Sequence, residues 1–468
     1  MGDVIRRGAA APHEVRGGRV VAGSVTAATA AAAAELTRLG AGTVSTEPGL
    51  VLKVSSDWAR MSPVLAEKVP PGRYLADAVV RPETPEQVPE ILKVAYEHDV
   101  PVTPRGAGTG NYGQATPFDG GLLLDLRGLD TVDIEEQTVT CGAGARLTVV
   151  DKALRAAGRD IWMYPSTKTS TVGGFVGGGS AGTGTIEHGT TSDGFVVSAL
   201  VAPCDGSGTM RRVSGDELVP YVHTYGVTGI LVDVEVRTDP AREWRAVYTA
   251  FDSYAELVAV HRALLDLPVP PRLASADEPA LVPTLTASVP LDPDRHSLRV
   301  IAEASTVDAL SALVRGGGGD VVAVLEPYAE TDRLSGMSYN HPVWFLQRSA
   351  PERNLFHMET QGMALWDDPD AVRAIYEGPV HLHLELFANG PGAMVVAEYR
   401  GEEALLAGMA RFEDIGVGVH SPHQWYVDRN VALARETARR TDPKGLLNPG
   451  KLVDAPPVDT RVNIGVRS

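Results

Sequence analysis

Cysteine is nearly absent: Cys141 and Cys204 are the two in 468 residues. Two are too few for a disulfide framework or a structural zinc knuckle, which fits a reducing compartment. Positive charge is also short, with 42 Lys and Arg against 59 Asp and Glu and a formal net charge of −17. A nucleic-acid binder needs a basic footprint, and an anionic membrane surface repels such a chain. Long apolar runs are missing too. The Ala-rich stretch 26–34 ends in Glu35 and is too short to span a bilayer. Arg6 and Arg7 precede no apolar signal segment. No GxxxxGK[ST] segment occurs, which removes the Walker-A loop. A soluble, cytoplasmic protein with neither nucleic acid nor membrane as partner is expected.

What is abundant is glycine, 49 residues, much of it between Gly106 and Gly229. The length predicts more than one domain, since single cores stop growing near ~250–300 residues. Helices are expected over 26–39, stopped by Gly40, over 57–69, after Thr84 as N-cap, and over 147–157. Strand-like runs surround them, among them "VPVTPRG", "GLLLDL", "FVVSALVAP" and "ILVDVEVRT". After Pro240 the strand candidates "WRAVYTAF", "LTASVPL", "HSLRVIAEA" and "DVVAVLEP" alternate with helices at 253–267 and 306–314. That β-α-β-β-α-β order predicts a ferredoxin-like second domain over about 241–420. "VHLHLELF" and "GAMVVAEYR" add strands. No internal repeat is visible.

Two glycine loops carry the chemistry. In "PRGAGTGNYGQ" (104–114), small residues from Gly106 to Gly110 leave backbone N–H groups uncovered, the makings of an anion-binding concavity. Gly108, Gly110 and Gly113 match GxGxxG, but Pro117, Gly120 and Gly121 block the helix that a nicotinamide-binding fingerprint requires. The second loop, "PSTKTSTVGGFVGGGSAGTGTIEHG" (165–189), adds hydroxyls to bare amides. Gly178 to Gly182 also fits GxSxG with Ser180 as nucleophile, although "TGTIEHGTTSDG" makes a poor following helix.

Together, "VRPETPEQV", "PVTPRGAGTG", "STVGG", "HGTTSDGFVVSALVAPCDG", "GVTGILVDVEVRT" and "DPKGLLNPGKL" resemble the vanillyl-alcohol oxidase / p-cresol methylhydroxylase flavoenzymes. The branch they resemble most is that of the glycolate oxidase subunit and D-lactate dehydrogenase. The resemblance covers roughly 74–240 and 428–453. It implies an α+β fold: a two-subdomain FAD-binding domain within 1–240 (core 74–240), a ferredoxin-like cap at 241–420, and a C-terminal segment, 421–468, returning to the first domain. It implies that Arg105, Gly106, Ala107, Gly108, Thr109 and Gly110 line the pyrophosphate, and that Ser170, Thr171, Gly173 and Gly174 run beside the flavin ring. Asp193 matches an acidic turn, Ile230 lies near the adenine, and Asn448 and Lys451 return to the ring edge. Thr109 stands where some members attach FAD through His, and no Cys lies in the second loop, so non-covalent FAD is expected.

For the substrate side, strand alternation places His381, His383 and Glu385 on one face of "HLHLELF". Titratable groups on an apolar strand suit proton acceptance during hydride transfer, or a divalent metal. His420 and His423 in "GVGVHSPHQWYVD" are further acid/base candidates. The hydroxy-acid members' metal pattern is broken here: the Gly-Asp turn between histidines is missing and no Glu precedes His420. No metal is therefore expected. The expected function is FAD-dependent oxidation or dehydrogenation of a hydroxy acid, alcohol or specialised metabolite, with oxygen or another acceptor as partner and a homodimer left open. The alternatives are a non-redox flavoenzyme like the alkylglycerone-phosphate synthases and a serine hydrolase using Ser180.

Overall fold

Thr26 starts the first helix, Ala27–Leu39, by accepting from Thr29 N at 3.1 Å, and Gly40 ends it at a left-handed φ of 70°. This computed structural model describes residues 26–179 and 181–453, so expectations on the first 25 residues and on Ser180 lie outside it. The segment expected as a helix over 57–69 is broken into a 3-10 turn, Ala59–Met61, and a helix, Pro63–Lys68. Pro63 explains the break, because proline opens a helix but lacks the N–H to continue one. The helix expected from Thr84 begins at Gln87.

Strands β1 (Thr43–Ser45), β2 (Ala78–Arg81), β3 (Val102–Arg105) and β4 (Leu122–Asp125) form a sheet in the order β1-β2-β4-β3. β2 and β3 both run parallel to β4. Leu122, Leu123 and Leu124 are all fully buried, the continuous apolar run expected of a covered parallel strand. The second sheet holds β5 (Val132–Ile134), β6 (Thr138–Gly142), β7 (Arg159–Ile161), β8 (Val196–Ala202), β9 (Arg211–Ser214) and β10 (Ile230–Pro240). Val232, Val234 and Val236 on β10 join Val139, Leu147 and Val172 in a core that continues into the first sheet through Leu124 and Ile91. The C-terminal segment packs on the free side of β3, where Val102 N donates to Leu446 O and Asn448 N to Val102 O, each at 2.8 Å.

Both cysteines lie inside this core as free thiols. Burial pushes each up to about 12. Native protein is therefore expected to leave a thiol reagent such as DTNB unconsumed at neutral pH, with both thiols reacting only after denaturant is added.

The third sheet has eight strands: β11 (Trp244–Phe251), β12 (Leu273–Asp277), β13 (His296–Glu303), β14 (Asp320–Leu325), β15 (Leu355–Gln361), β16 (His381–Phe387), β17 (Gly390–Glu398) and β18 (Gly418–His420). Their order is β14-β11-β13-β12-β16-β17-β15-β18. With helices Tyr254–Ala263 and Val307–Gly316, the first four make the expected β-α-β-β-α-β unit. Its second strand is Leu273–Asp277, not the "LTASVPL" run at 285–291, which forms no strand. All five residues of Leu273–Asp277 are buried, and their small side chains fit between β13 and β16. The last four strands, with helices Pro369–Arg373 and Glu402–Asp414, repeat the same order, and the two units join edge to edge at β12 and β16. This repeat is one of topology and was not visible in the sequence. Among the described residues, no helix is long and apolar enough to cross a membrane.

Candidate functional site

A cavity of about 510 Å³ lies between the two N-terminal sheets and the third. One wall is made by the glycine loops: Arg105, Gly106, Ala107, Gly108, Thr109, Gly110, Ser170, Thr171, Gly173, Gly174 and Ile230 all line it. The loops are locked to each other by a 2.6 Å hydrogen bond between Thr109 Oγ1 and Ser170 Oγ. Thr171 caps the helix Val172–Gly178 by accepting from Gly174 N at 3.1 Å. A Cβ on Gly106 would stand 2.2 Å from Thr171 Oγ1, so the loops meet only because that side chain is missing. Gly177 and Gly178 continue the bare lining. Arg105 lines this wall with its Nη1 on Ser56 O at 2.8 Å and its buried Nε without a protein partner. Uncovered amides, hydroxyls and an incompletely bonded guanidinium suit a diphosphate joined to a flat ring.

Three residues expected at the cofactor do not line the cavity. Asp193 instead accepts from Thr190 N and Oγ1, both at 2.7 Å, and closes the turn Thr191–Phe195. Asn448 Nδ2 donates to Gln114 O and Tyr225 O at 2.8 Å each, tying two lining segments together. Lys451 is fully buried, donates to Thr116 O at 3.0 Å and lies 3.3 Å from the Phe118 ring centre. Burial holds its pKa well below the usual lysine value. Asn448→Ala should remove both bonds at once. At ~0.5–1.5 kcal/mol each, FAD affinity should fall roughly tenfold, read by flavin titration of the apoprotein.

A polar cluster also lines the cavity. His420 lines it and is clamped between two carboxylates, with Nδ1 2.8 Å from Glu359 and Nε2 3.1 Å from Asp428. Burial opposes its charge, but Asp428 and Glu359 push its pKa up to about 10. Burial would raise Glu359, yet His420, then His357 and Tyr112, bring it to about 2. Glu359 also accepts from Tyr112 Oη and, at 3.1 Å, from Asn340 Nδ2. His223, beside them, is buried and brought down to about 3 by burial and then by the charge of Arg429. It sits at a φ of 57°, with its N–H on Val176 O at 2.9 Å, which hooks it to the helix of the second glycine loop.

His420 is thus the one sequence-stated acid/base candidate that lines the cavity. His383 and Glu385 are fully buried within the third sheet, away from it. His383 bridges Asp277 at 2.9 Å and Glu385 at 2.8 Å, while Arg299 lies 2.5 Å from Asp277. Glu385 accepts from Ser275 Oγ and, at 2.6 Å, from Tyr339 N. The pair therefore braces Tyr339, a lining residue at a φ of 51°. His381 is half-buried on the same strand and also off the cavity, its pKa lowered by burial. His423 is closed off by Ser62 Oγ at 2.7 Å and His357 O at 2.8 Å, and burial lowers it to about 3. The alternation argument correctly put the three strand residues on one face, but that face meets more protein. The same argument, applied to "LFHMETQ", points to Glu359. His223, Tyr112 and Asn340 sit in irregular or end positions and leave no periodic signal.

Residues 76–214 match the family model described as an FAD binding domain. A D-lactate dehydrogenase of Archaeoglobus fulgidus is 25% identical over 405 residues, covering 80% of this chain and 91% of that protein. An FAD-linked oxidoreductase of Mycobacterium tuberculosis is 31% identical over 189 residues, 38% of this chain. That match spans 41% of the mycobacterial protein's length. The glycolate oxidase subunit of Bacillus subtilis is 27% identical over 231 residues, covering 46% of this chain and 48% of that protein. Among solved structures, an alkyldihydroxyacetonephosphate synthase shares the fold with a TM-score of 0.71 at 15% identity, over 90% of this chain and 85% of that one. Over residues 76–214 the chain carries an FAD binding domain, and the relatives it is similar to include an FAD-linked oxidoreductase, a D-lactate dehydrogenase and a glycolate oxidase subunit.

Proposed function

We propose that this chain is an FAD-dependent oxidase or dehydrogenase acting on a C–OH or C–NH carbon of a small molecule, with FAD held non-covalently. The observation that carries the reading is one cavity lined both by the glycine loops and by the clamped His420. The chemistry FAD supplies when bound is hydride acceptance from a substrate carbon, with onward transfer to oxygen or another acceptor. Arg105 and the bare amides of 106–110 would hold the diphosphate, and 170–174 would flank the ring. His420 stays an imidazolium to about pH 10, so at neutral pH it stabilises developing negative charge and does not take up the proton. Trp344, Phe345, Phe387 and Met394 line the same cavity and exclude water.

The non-redox alternative is disfavoured by the lining. A phosphorylated substrate wants cations, and Arg105, within the glycine-loop wall, is the one arginine or lysine among the described lining residues. Anaerobic mixing of the flavin-loaded protein with a panel of alcohols, amines and hydroxy acids tests the proposal. At least one member should bleach the flavin, with colour returning on admission of oxygen or a dye acceptor. Yellow protein that no member bleaches would count against redox chemistry.

A further inference from the structure

Several buried polar atoms of lining side chains have no protein hydrogen-bond partner, and those of His223 and Asn340 have a common character. Both ring nitrogens of His223 are buried without a protein partner. So is Oδ1 of Asn340, whose Nδ2 is committed to Glu359. A carboxylate only accepts, so that contact fixes the amide with its oxygen as the spare atom. A neutral imidazole offers one acceptor and one donor. Beside Glu359 these two residues therefore lean toward acceptors, while Arg105 Nε, an unengaged donor, stands in the glycine-loop wall. A carboxylate ligand needs the reverse, a free cation or several donors.

Of the cationic groups lining the cavity, neither lies open to a substrate carboxylate. Arg105 donates to Ser56 O, and a Cβ on Gly108 would fall 2.0 Å from its guanidinium, which places that group against the cofactor loop. His420 has Glu359 on one ring nitrogen and Asp428 on the other, so its single positive charge faces two negative ones. A substrate carboxylate could reach the His420 charge only by displacing Glu359 or Asp428. Trp344, Phe345, Phe387 and Met394 add apolar surface to the lining.

We infer that the cavity selects an uncharged alcohol carried on an apolar body and rejects 2-hydroxy acids, with His223 accepting the hydrogen bond of the substrate hydroxyl. The inference rests on the flavoenzyme reading above and deepens it.

The test uses two ligands with one skeleton, 1-phenyl-1,2-ethanediol and mandelate, which differ in CH2OH against COO−. Each is titrated anaerobically into the flavin-loaded protein, and binding is read from the perturbation of the flavin's visible spectrum and from thermal stability. The diol should bind at least about tenfold more tightly, the equivalent of one charge-related hydrogen-bond mismatch. Equal or tighter binding of mandelate overturns the inference, and so does failure of both to bind. His223→Asn tolerates the left-handed backbone and keeps an acceptor, so it should retain most of the diol affinity. His223→Leu should lose about tenfold. Unchanged diol binding in the leucine variant also overturns it. Colourless protein defeats the flavin reading itself, whereas yellow protein that prefers mandelate defeats only this inference.

Discussion

Gly106→Val should abolish tight FAD binding while leaving the fold intact. The new Cβ would stand 2.2 Å from Thr171 Oγ1, closer than any real contact. Thr171 cannot swing aside freely, because that oxygen caps the helix Val172–Gly178 through Gly174 N. Either the cap is lost, at about 1 kcal/mol, or the loops separate and the amides facing the cofactor shift. Adding displaced hydrogen bonds at ~0.5–1.5 kcal/mol each gives roughly 3 kcal/mol, about a hundredfold in affinity. The fold should survive because Gly106 is half-buried at the cavity edge and the core of β3 and β4 does not include it. The ratio of flavin to protein absorbance after purification should collapse, with the far-UV circular dichroism unchanged.

Asp277→Asn should be the most destabilising substitution in the third sheet. Arg299 and Asp277 are both fully buried and 2.5 Å apart, and His383 joins them with its ring against Asp277 and Glu385. Burial would raise Asp277, but His383 and Arg299 hold its pKa below the usual value. Neutralising Asp277 leaves Arg299 uncompensated, a change expected to cost ~3–5 kcal/mol. A urea titration of the variant against the parent checks the figure. The same network gives stability a defined pH dependence. Burial opposes the His383 charge, yet Asp277 and Glu385 push its pKa up to about 9, above the unfolded value of ~6.5. Its contribution is therefore complete below about pH 6.5 and is lost as the pH rises through 9. In Asp277→Asn that alkaline loss should be complete at lower pH, because the folded-state pKa of His383 falls while its unfolded value stays.

The cofactor end of the molecule was far more legible in the sequence than the substrate end. Glycine loops act through backbone atoms that are contiguous in the chain, so "PRGAGTG" and "STVGG" are visible as words, and both line the cavity. The strand "WRAVYTAF" was readable in full because its apolar run coincides with its length. The substrate end is assembled from distant positions, Tyr112, His223, Glu359 and His420, which only the tertiary fold brings together. The period-2 pattern identified a real face on β16 but could not say what that face meets: Asp277 and Ser275 of the neighbouring strand and the backbone of Tyr339 engage it. The topological repeat escaped for a related reason: the two units keep the same order of elements without keeping a shared sequence.

The central claim is that the glycine-lined cavity holds FAD. The most direct measurement is a visible absorbance spectrum of the purified protein, taken before and after acid precipitation and again after incubation with added FAD. The prediction is a flavin spectrum in the native protein and a yellow supernatant over a white pellet. A yellow pellet would contradict non-covalent binding, and a colourless protein that takes up no added FAD would contradict the account as a whole.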